Sequence, residues 1–221
     1  MSSTKRGGQR SPSDNYPTPH WVTNRIIDRL CTKLPMSGIW YEPCAGDGSL
    51  IHPFTVRKLC PTWWANEIRE EERPRLSVSV PRAGVVTTGD ILDPSTPLPP
   101  KDQVQVVITN PPYRIAWELL HKMLREFPDS HIILLLRVNF IASQGRYGFM
   151  SQYMPDVYVL PNRPGFKGWG KTDSPEYGWF HFPPSPRART EGKIELLALT
   201  SREERRRAPD AGIVYPEETA D

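Results

Sequence analysis

Apolar positions along this chain fall into short blocks whose spacing switches between the period of helices and that of strands. Val22, Ile26, Ile27, Leu30 and Leu34 recur at helical intervals, which predicts a one-faced helix within residues 16–34. Thr18 stands where an N-cap is wanted, and Pro19 falls at the first helical position, where a missing N–H costs nothing. Ile39 to Tyr41 then reads as a short strand, Pro61 to Ile68 as a second and residues 83–93 as a third. Val104, Val106, Val107 and Ile108 are β-branched and nearly continuous, as in a strand buried on both faces. Helical spacing returns at Ile115, Leu119, Leu120, Met123 and Phe127, followed by the apolar strand His131 to Val138. Strands alternating with helices predict a parallel, doubly wound α/β sheet.

The last third changes character. Residues 156–162, 177–182 and 193–199 read as strands, and their short connections predict antiparallel pairing at one edge of the sheet. Residues 1–15 carry Lys5, Arg6 and Arg10 without periodicity and read as a flexible basic tail. Residues 16–200 are expected to form one domain, and residues 201–221 a second flexible tail.

Composition narrows the class. In 221 residues, 38% hydrophobic and 24% charged describe a water-soluble protein large enough for a proper core. No apolar run approaches bilayer length, and the start MSSTKRGGQR lacks an apolar signal core, so no membrane partner is expected. Three cysteines (Cys31, Cys44, Cys60) lack C-x-x-C spacing, which predicts neither a disulfide framework nor a metal site and makes the cytoplasm the default location. A net charge of +3 permits a nucleic-acid partner without requiring one.

The candidate chemistry centres on Asn110-Pro111-Pro112-Tyr113, which follows the Val104 strand directly. Two prolines remove two N–H donors, and Asn110, ahead of a proline, is pushed towards an extended backbone. The turn therefore offers carbonyl oxygens, one amide side chain and an aromatic face. That surface suits a flat ligand that donates hydrogen bonds, such as an amino group on a base. Taken alone, a proline turn closing a core strand explains it equally well.

Three further strand ends carry acids. Glu42-Pro43-Cys44-Ala45-Gly46-Asp47-Gly48 is a glycine-containing loop after the first strand, where ligands of open α/β sheets bind. Its acids would repel a pyrophosphate and favour a ligand with hydroxyls and a positive charge. Glu67 ends the second strand, where an acid can take ribose hydroxyls, and Asp90 the third, where an acid can accept from an adenine amine. Any one of these acids could be structural; three in succession are harder to explain so. Between Arg163 and Lys193, basic residues are interleaved with aromatics, a composition used on single-stranded or flipped bases. Arg163, Phe166, Lys167, Trp169 and Lys171 are the candidate nucleic-acid contacts, although an ordinary solvated loop has the same composition.

The glycine loop followed downstream by Asn110 to Tyr113 resembles the class I S-adenosylmethionine-dependent methyltransferases that modify exocyclic amines. It looks most like the N6-adenine DNA methyltransferases of small phage and prophage type, over roughly residues 14–182. The resemblance implies a seven-stranded, Rossmann-like methyltransferase sheet with an antiparallel C-terminal edge. It implies S-adenosylmethionine as cofactor and DNA as partner, with RNA or a protein glutamine as alternatives, and a monomer or homodimer. A catalytically silent nucleic-acid-binding subunit is the alternative of another class. By resemblance, Glu42 would lie near the cofactor's ammonium, with Pro43, Cys44, Ala45, Gly46 and Gly48 passing beneath its methionine part. Glu67 would take the ribose, Ile68, Asp90 and Ile91 the adenine, and Tyr16, Thr18 and Pro19 would close over the methionine end. Asn110 and Pro111 would accept from the target amine, and Tyr113, after Pro112, would stack on the target base. Two departures matter: Glu-Pro stands in place of Asp-Pro, and Asn, not Asp, opens the second motif. No large target-recognition domain is evident, so sequence readout would fall to residues 139–155, to the Arg163–Glu176 loop or to a second subunit.

Overall fold

The computed structural model describes residues 16–59, 61–166, 173–184 and 191–206. Eight strands form one sheet: β1 (Ile39–Glu42), β2 (Thr62–Glu67), β3 (Val85–Thr88), β4 (Val104–Thr109), β5 (His131–Arg137), β6 (Asp156–Val159), β7 (Tyr177–Phe182) and β8 (Ile194–Leu196). Their order across the sheet is β3-β2-β1-β4-β5-β7-β6-β8. Chain order reverses between β1 and β4, so the carboxyl ends of those two strands flank the crevice where such sheets bind ligands.

Among the described residues six α-helices accompany the sheet: α1 (His20–Leu30), α2 (His52–Val56), α3 (Arg73–Ser79), α4 (Ala116–Glu126), α5 (Tyr147–Met150) and α6 (Arg202–Arg206). Alternating strand residues feed two separate cores. Trp40, Trp63, Val106, Ile108 and Ile133 pack with Val22, Ile26 and Leu30 of α1, Phe54 of α2 and Leu76 of α3. Tyr41, Val107, Ile132 and Leu134 pack on the other face with Leu119, Leu120 and Met123 of α4. Helices thus cover both faces, which is why the central strands read as continuous apolar runs. Each fully buried Leu or Ile here contributes roughly 1.5–3 kcal/mol through burial.

Antiparallel pairing on the C-terminal side of the sheet is as expected: β7 runs antiparallel to both β5 and β6. Other expectations are corrected, beginning with the strand number, which is eight and not seven. The outermost strand, β8, is parallel to β6. Short connections predict antiparallel pairing there; the observed register instead sets Val157, Tyr158 and Val159 beside Ile194, Glu195 and Leu196 in parallel, with Glu195 paired to Arg29. Thr18 does not cap α1: Pro19 occupies the N-cap position and no side chain caps the helix. Finally, the stretch expected to be a flexible tail begins with α6, whose Glu204 pairs with Arg25 at 2.6 Å.

Candidate active site

At the carboxyl ends of β1, β2, β3 and β4 the connecting loops enclose a cavity of about 370 Å³. The loop after β1 takes its shape from two glycines with positive φ, Gly46 at 59° and Gly48 at 85°. A side chain at Gly48 would also collide with Ser79 of α3, 2.3 Å from where its Cβ would stand. Ser79 in turn donates to the Asp47 carbonyl at 3.0 Å, so the loop is pressed onto α3 and its ridge is held open to the cavity.

Glu42 lies at the base of this loop, only 2% exposed, and its Oε2 meets no donor among the described residues. Burial, then the charges of Asp47 and Glu67, push its carboxyl well above the usual carboxylate range. A buried carboxylate oxygen without a partner costs free energy that a cationic ligand would recover. Glu67 is equally buried but satisfied: Oε2 accepts from the Gly46 N–H at 2.7 Å, and Oε1 from the Arg69 N–H and Nε at 3.2 and 2.7 Å. Asp90 lies two residues beyond β3 and turns one oxygen back to accept from the Leu92 N–H at 2.9 Å. Ile68 is 54% exposed and Ile91 is buried, and both line the cavity near Asp90.

Opposite the glycine loop, β4 delivers Asn110. Its Nδ2 donates to the Tyr16 carbonyl at 3.3 Å and to the Thr18 hydroxyl at 3.1 Å. With both amide hydrogens directed at the N-terminal segment, Oδ1 is left as the acceptor side of the group. Pro111, Pro112 and Tyr113 continue along the cavity wall. The Tyr113 ring lies 5.8 Å from that of Tyr177, with the Arg137 guanidinium 4.5 Å from its centroid. Burial, then the neighbouring Tyr177 hydroxyl, raise the Tyr113 phenol far above its ordinary value, so it stays neutral.

The cavity therefore gathers Tyr16, Thr18, Glu42, Pro43, Cys44, Ala45, Gly46, Glu67, Ile68, Asp90, Ile91 and Asn110 to Tyr113 from the sequence-based set. Pro19 and Gly48 support it without lining it. Phe166 is a correction: it is 6% exposed, packed edge-on to Tyr16 and Tyr177, and offers no face to a nucleic acid. Its apolar neighbours lie far off in sequence, so local composition disguised a core residue as a surface one. Arg163 pairs with Glu176, and Lys167, Trp169 and Lys171 lie outside the described residues.

Two residues that organise the cavity escaped the sequence reading. Buried Asn66 donates to the Pro43 and Gly89 carbonyls at 3.2 and 3.0 Å and accepts from the Thr87 hydroxyl at 3.0 Å. It thereby ties the loops after β1 and β3 to β2. Buried Lys122, on α4, donates to the Ile91 and Asp93 carbonyls at 2.6 and 3.4 Å. A polar residue one place before a strand-end acid, and a lysine in an apolar helix stripe, were the available signals.

No protein-family model matches the chain, and no curated protein matches it. Solved structures do. A dimethyladenosine transferase from Plasmodium falciparum is similar at 16% identity over 77% of this chain and 63% of that one, with a TM-score of 0.57. A Listeria monocytogenes protein assigned to the class I S-adenosylmethionine-dependent methyltransferases is 10% identical over 88% of this chain and 70% of that one, also at 0.57. This chain has the class I methyltransferase fold. An RNA methyltransferase from Salinibacter ruber, solved with S-adenosyl-L-homocysteine, is 13% identical over 79% of this chain and 99% of that one, at 0.50. Among the described residues no helix is long and apolar enough to cross a membrane, and no group of three or more His, Cys, Asp or Glu could hold a metal ion.

Proposed function

We propose that this protein is an S-adenosylmethionine-dependent methyltransferase acting on the exocyclic N6 amine of adenine in DNA. The orientation of Asn110 carries the reading: with Nδ2 spent on Tyr16 and Thr18, the amide oxygen is the group left to meet a donor. An aromatic amine has two N–H donors and a lone pair delocalised into its ring. Acceptance of those hydrogens by Asn110 Oδ1 and the Pro111 carbonyl draws the nitrogen towards a tetrahedral shape and frees the lone pair. Bound S-adenosylmethionine supplies an electrophilic methyl group. The new N–C bond forms as the S–C bond breaks, and a proton leaves the nitrogen for solvent. Placement and electrostatics can supply most of the rate, so no strong base is required.

The cofactor fits the residues present. Glu42 is the buried acid that lacks a cation, and it would hold the ammonium. Gly46 and Gly48 allow close backbone approach, while Asp90, Ile68 and Ile91 would receive an adenine. Glu67 would share its Oε1 with a ribose hydroxyl while keeping its protein donors. The target base would stack on Tyr113, after flipping when it comes from a duplex. RNA is the second reading, favoured because two of the similar structures belong to enzymes named for adenosine or RNA.

The test is to incubate the protein with methyl-labelled cofactor and, separately, DNA, RNA and cell protein, then digest and weigh the products. N6-methyladenine in DNA is the expected result, absent with Asn110→Ala. Transfer to RNA alone would move the substrate, and transfer only to protein would overturn the nucleic-acid reading.

A further inference from the structure

Several arginines of this fold are neutralised locally. Arg25, Arg29, Arg57, Arg69 and Arg163 each meet a carboxylate. Others are not, and two of these follow Asn110 along the chain, one of them in the cavity wall. Among the described residues no carboxylate pairs with Arg114, which lines the cavity directly after Tyr113, or with Arg146. The Arg146 guanidinium carbon lies over aromatic rings, 4.2 Å from the centre of the Phe140 ring and 5.4 Å from that of Trp117. Its Nη1 donates to the Phe140 carbonyl at 2.9 Å, which fixes the group without discharging it. Beside it, at the start of α5, Tyr147 is 73% exposed, an aromatic ring left in water. Because β5 is parallel to β4, the chain leaving Arg137 emerges at the same end of the sheet as Asn110; Arg137 lies over the Tyr113 ring, and Arg146 over Trp117 in the first turn of α4, four residues after Tyr113.

We propose that this rim, Arg114 with Arg146 and Tyr147 of the 138–147 segment, is the docking surface for the nucleic-acid strand that flanks the target base. The inference rests on the proposed function. Unpaired arginines beside a cavity that admits a base are placed for the phosphates on either side of it. A guanidinium already held on aromatic rings loses little freedom on binding, and an exposed tyrosine offers a stacking face to a neighbouring base. The Arg163 loop, in contrast, spends its arginine on Glu176 and its phenylalanine on the core.

The experiment measures equilibrium binding of a labelled oligodeoxynucleotide to the full chain, with cofactor product present, over a series of salt concentrations. Tyr147→Ala removes an exposed ring and should fold normally; it is expected to weaken binding about ten-fold. Arg114→Glu is expected to weaken it at least about ten-fold and to reduce the salt slope by roughly one. Arg125→Glu, at the far end of α4 and paired with Glu126, should change neither. Arg146→Lys keeps the charge but loses the stack, and is expected to fall between them. Wild type that binds and methylates the oligonucleotide, with Arg114→Glu and Tyr147→Ala equal to it, would overturn the docking surface and leave the function standing. Wild type that neither binds nor methylates any nucleic acid would remove both.

Discussion

The side-chain amide of Asn110 donates to the Thr18 hydroxyl at 3.1 Å, joining residues 92 positions apart. Thr18 sits in the segment that leads into α1, and its hydroxyl sets which side of the Asn110 amide faces the cavity. Without it, Nδ2 keeps only the longer contact to the Tyr16 carbonyl, and the amide can turn to present hydrogens where the amine needs an acceptor. Thr18→Val is expected to cut single-turnover transfer by about ten- to a hundred-fold while cofactor affinity stays within about three-fold. Thr18→Ser should restore most of the rate. Rapid-quench transfer assays beside calorimetry separate the two effects, and an undiminished rate in Thr18→Val would remove the orienting role.

Glu42 makes a prediction with a sign. Its folded carboxyl titrates well above the ordinary 4.5 because of burial and the acids Asp47 and Glu67. Above the ordinary range the unfolded chain has lost this proton while the folded chain still holds it. The folded state then binds more protons, so stability falls as pH rises towards the folded value and is fully kept below the unfolded one. Glu42→Gln should flatten that decline in thermal unfolding of the ligand-free protein as pH rises above the ordinary carboxylate range. The same variant should weaken cofactor binding about ten-fold or more, since the acid that would face the ammonium is gone. Identical pH profiles for the two proteins would return Glu42 to an inert place in the core.

Much of this site could be read before any coordinates, for identifiable reasons. The central strands are buried on both faces, so their apolar runs mark their own ends, and the residues that follow, Glu42, Glu67 and Asn110, fall at the crevice. What could not be read were pairings set by distance in space. Thr18 looks like a cap because caps are local, yet its partner is Asn110, the residue after β4. Phe166 looks like surface because its neighbours in sequence are glycine and lysine, yet Tyr16 and Tyr177 enclose it. The parallel sense of β8 against β6 is a pairing in space, which no periodicity records.

Asn66 should reveal itself as a clamp rather than a contact. Truncation to alanine strands the buried Pro43 carbonyl and takes a partner from the part-buried Gly89 carbonyl and Thr87 hydroxyl. A loss of about 2 kcal/mol is expected, read as a lower denaturant midpoint at unchanged slope. Because the loops after β1 and β3 would also drift apart, cofactor affinity should fall further than stability accounts for at saturating native conditions. Unfolding midpoints equal to wild type would show that water takes over these bonds.

Lys122 supports the opposite end of the cavity. Its ammonium reaches from α4 across the second core to the carbonyls of Ile91 and Asp93, so it braces the turn that presents Asp90 and Ile91. Lys122→Met preserves most of the length and apolar volume of the stem while removing the donors, so packing around Leu119 and Met123 should survive. The braced turn would then be free to shift against the adenine end of the cofactor, far from Asn110. The expected signature is a KM for cofactor raised about ten-fold with kcat within about two-fold, because an equal loss of binding in ground and transition states leaves the chemical step unchanged. Lys122→Arg should recover part of the affinity by donating to the same carbonyls. A variant in which kcat falls and the cofactor KM does not would place the influence of Lys122 on the methyl-transfer geometry instead of on the adenine turn.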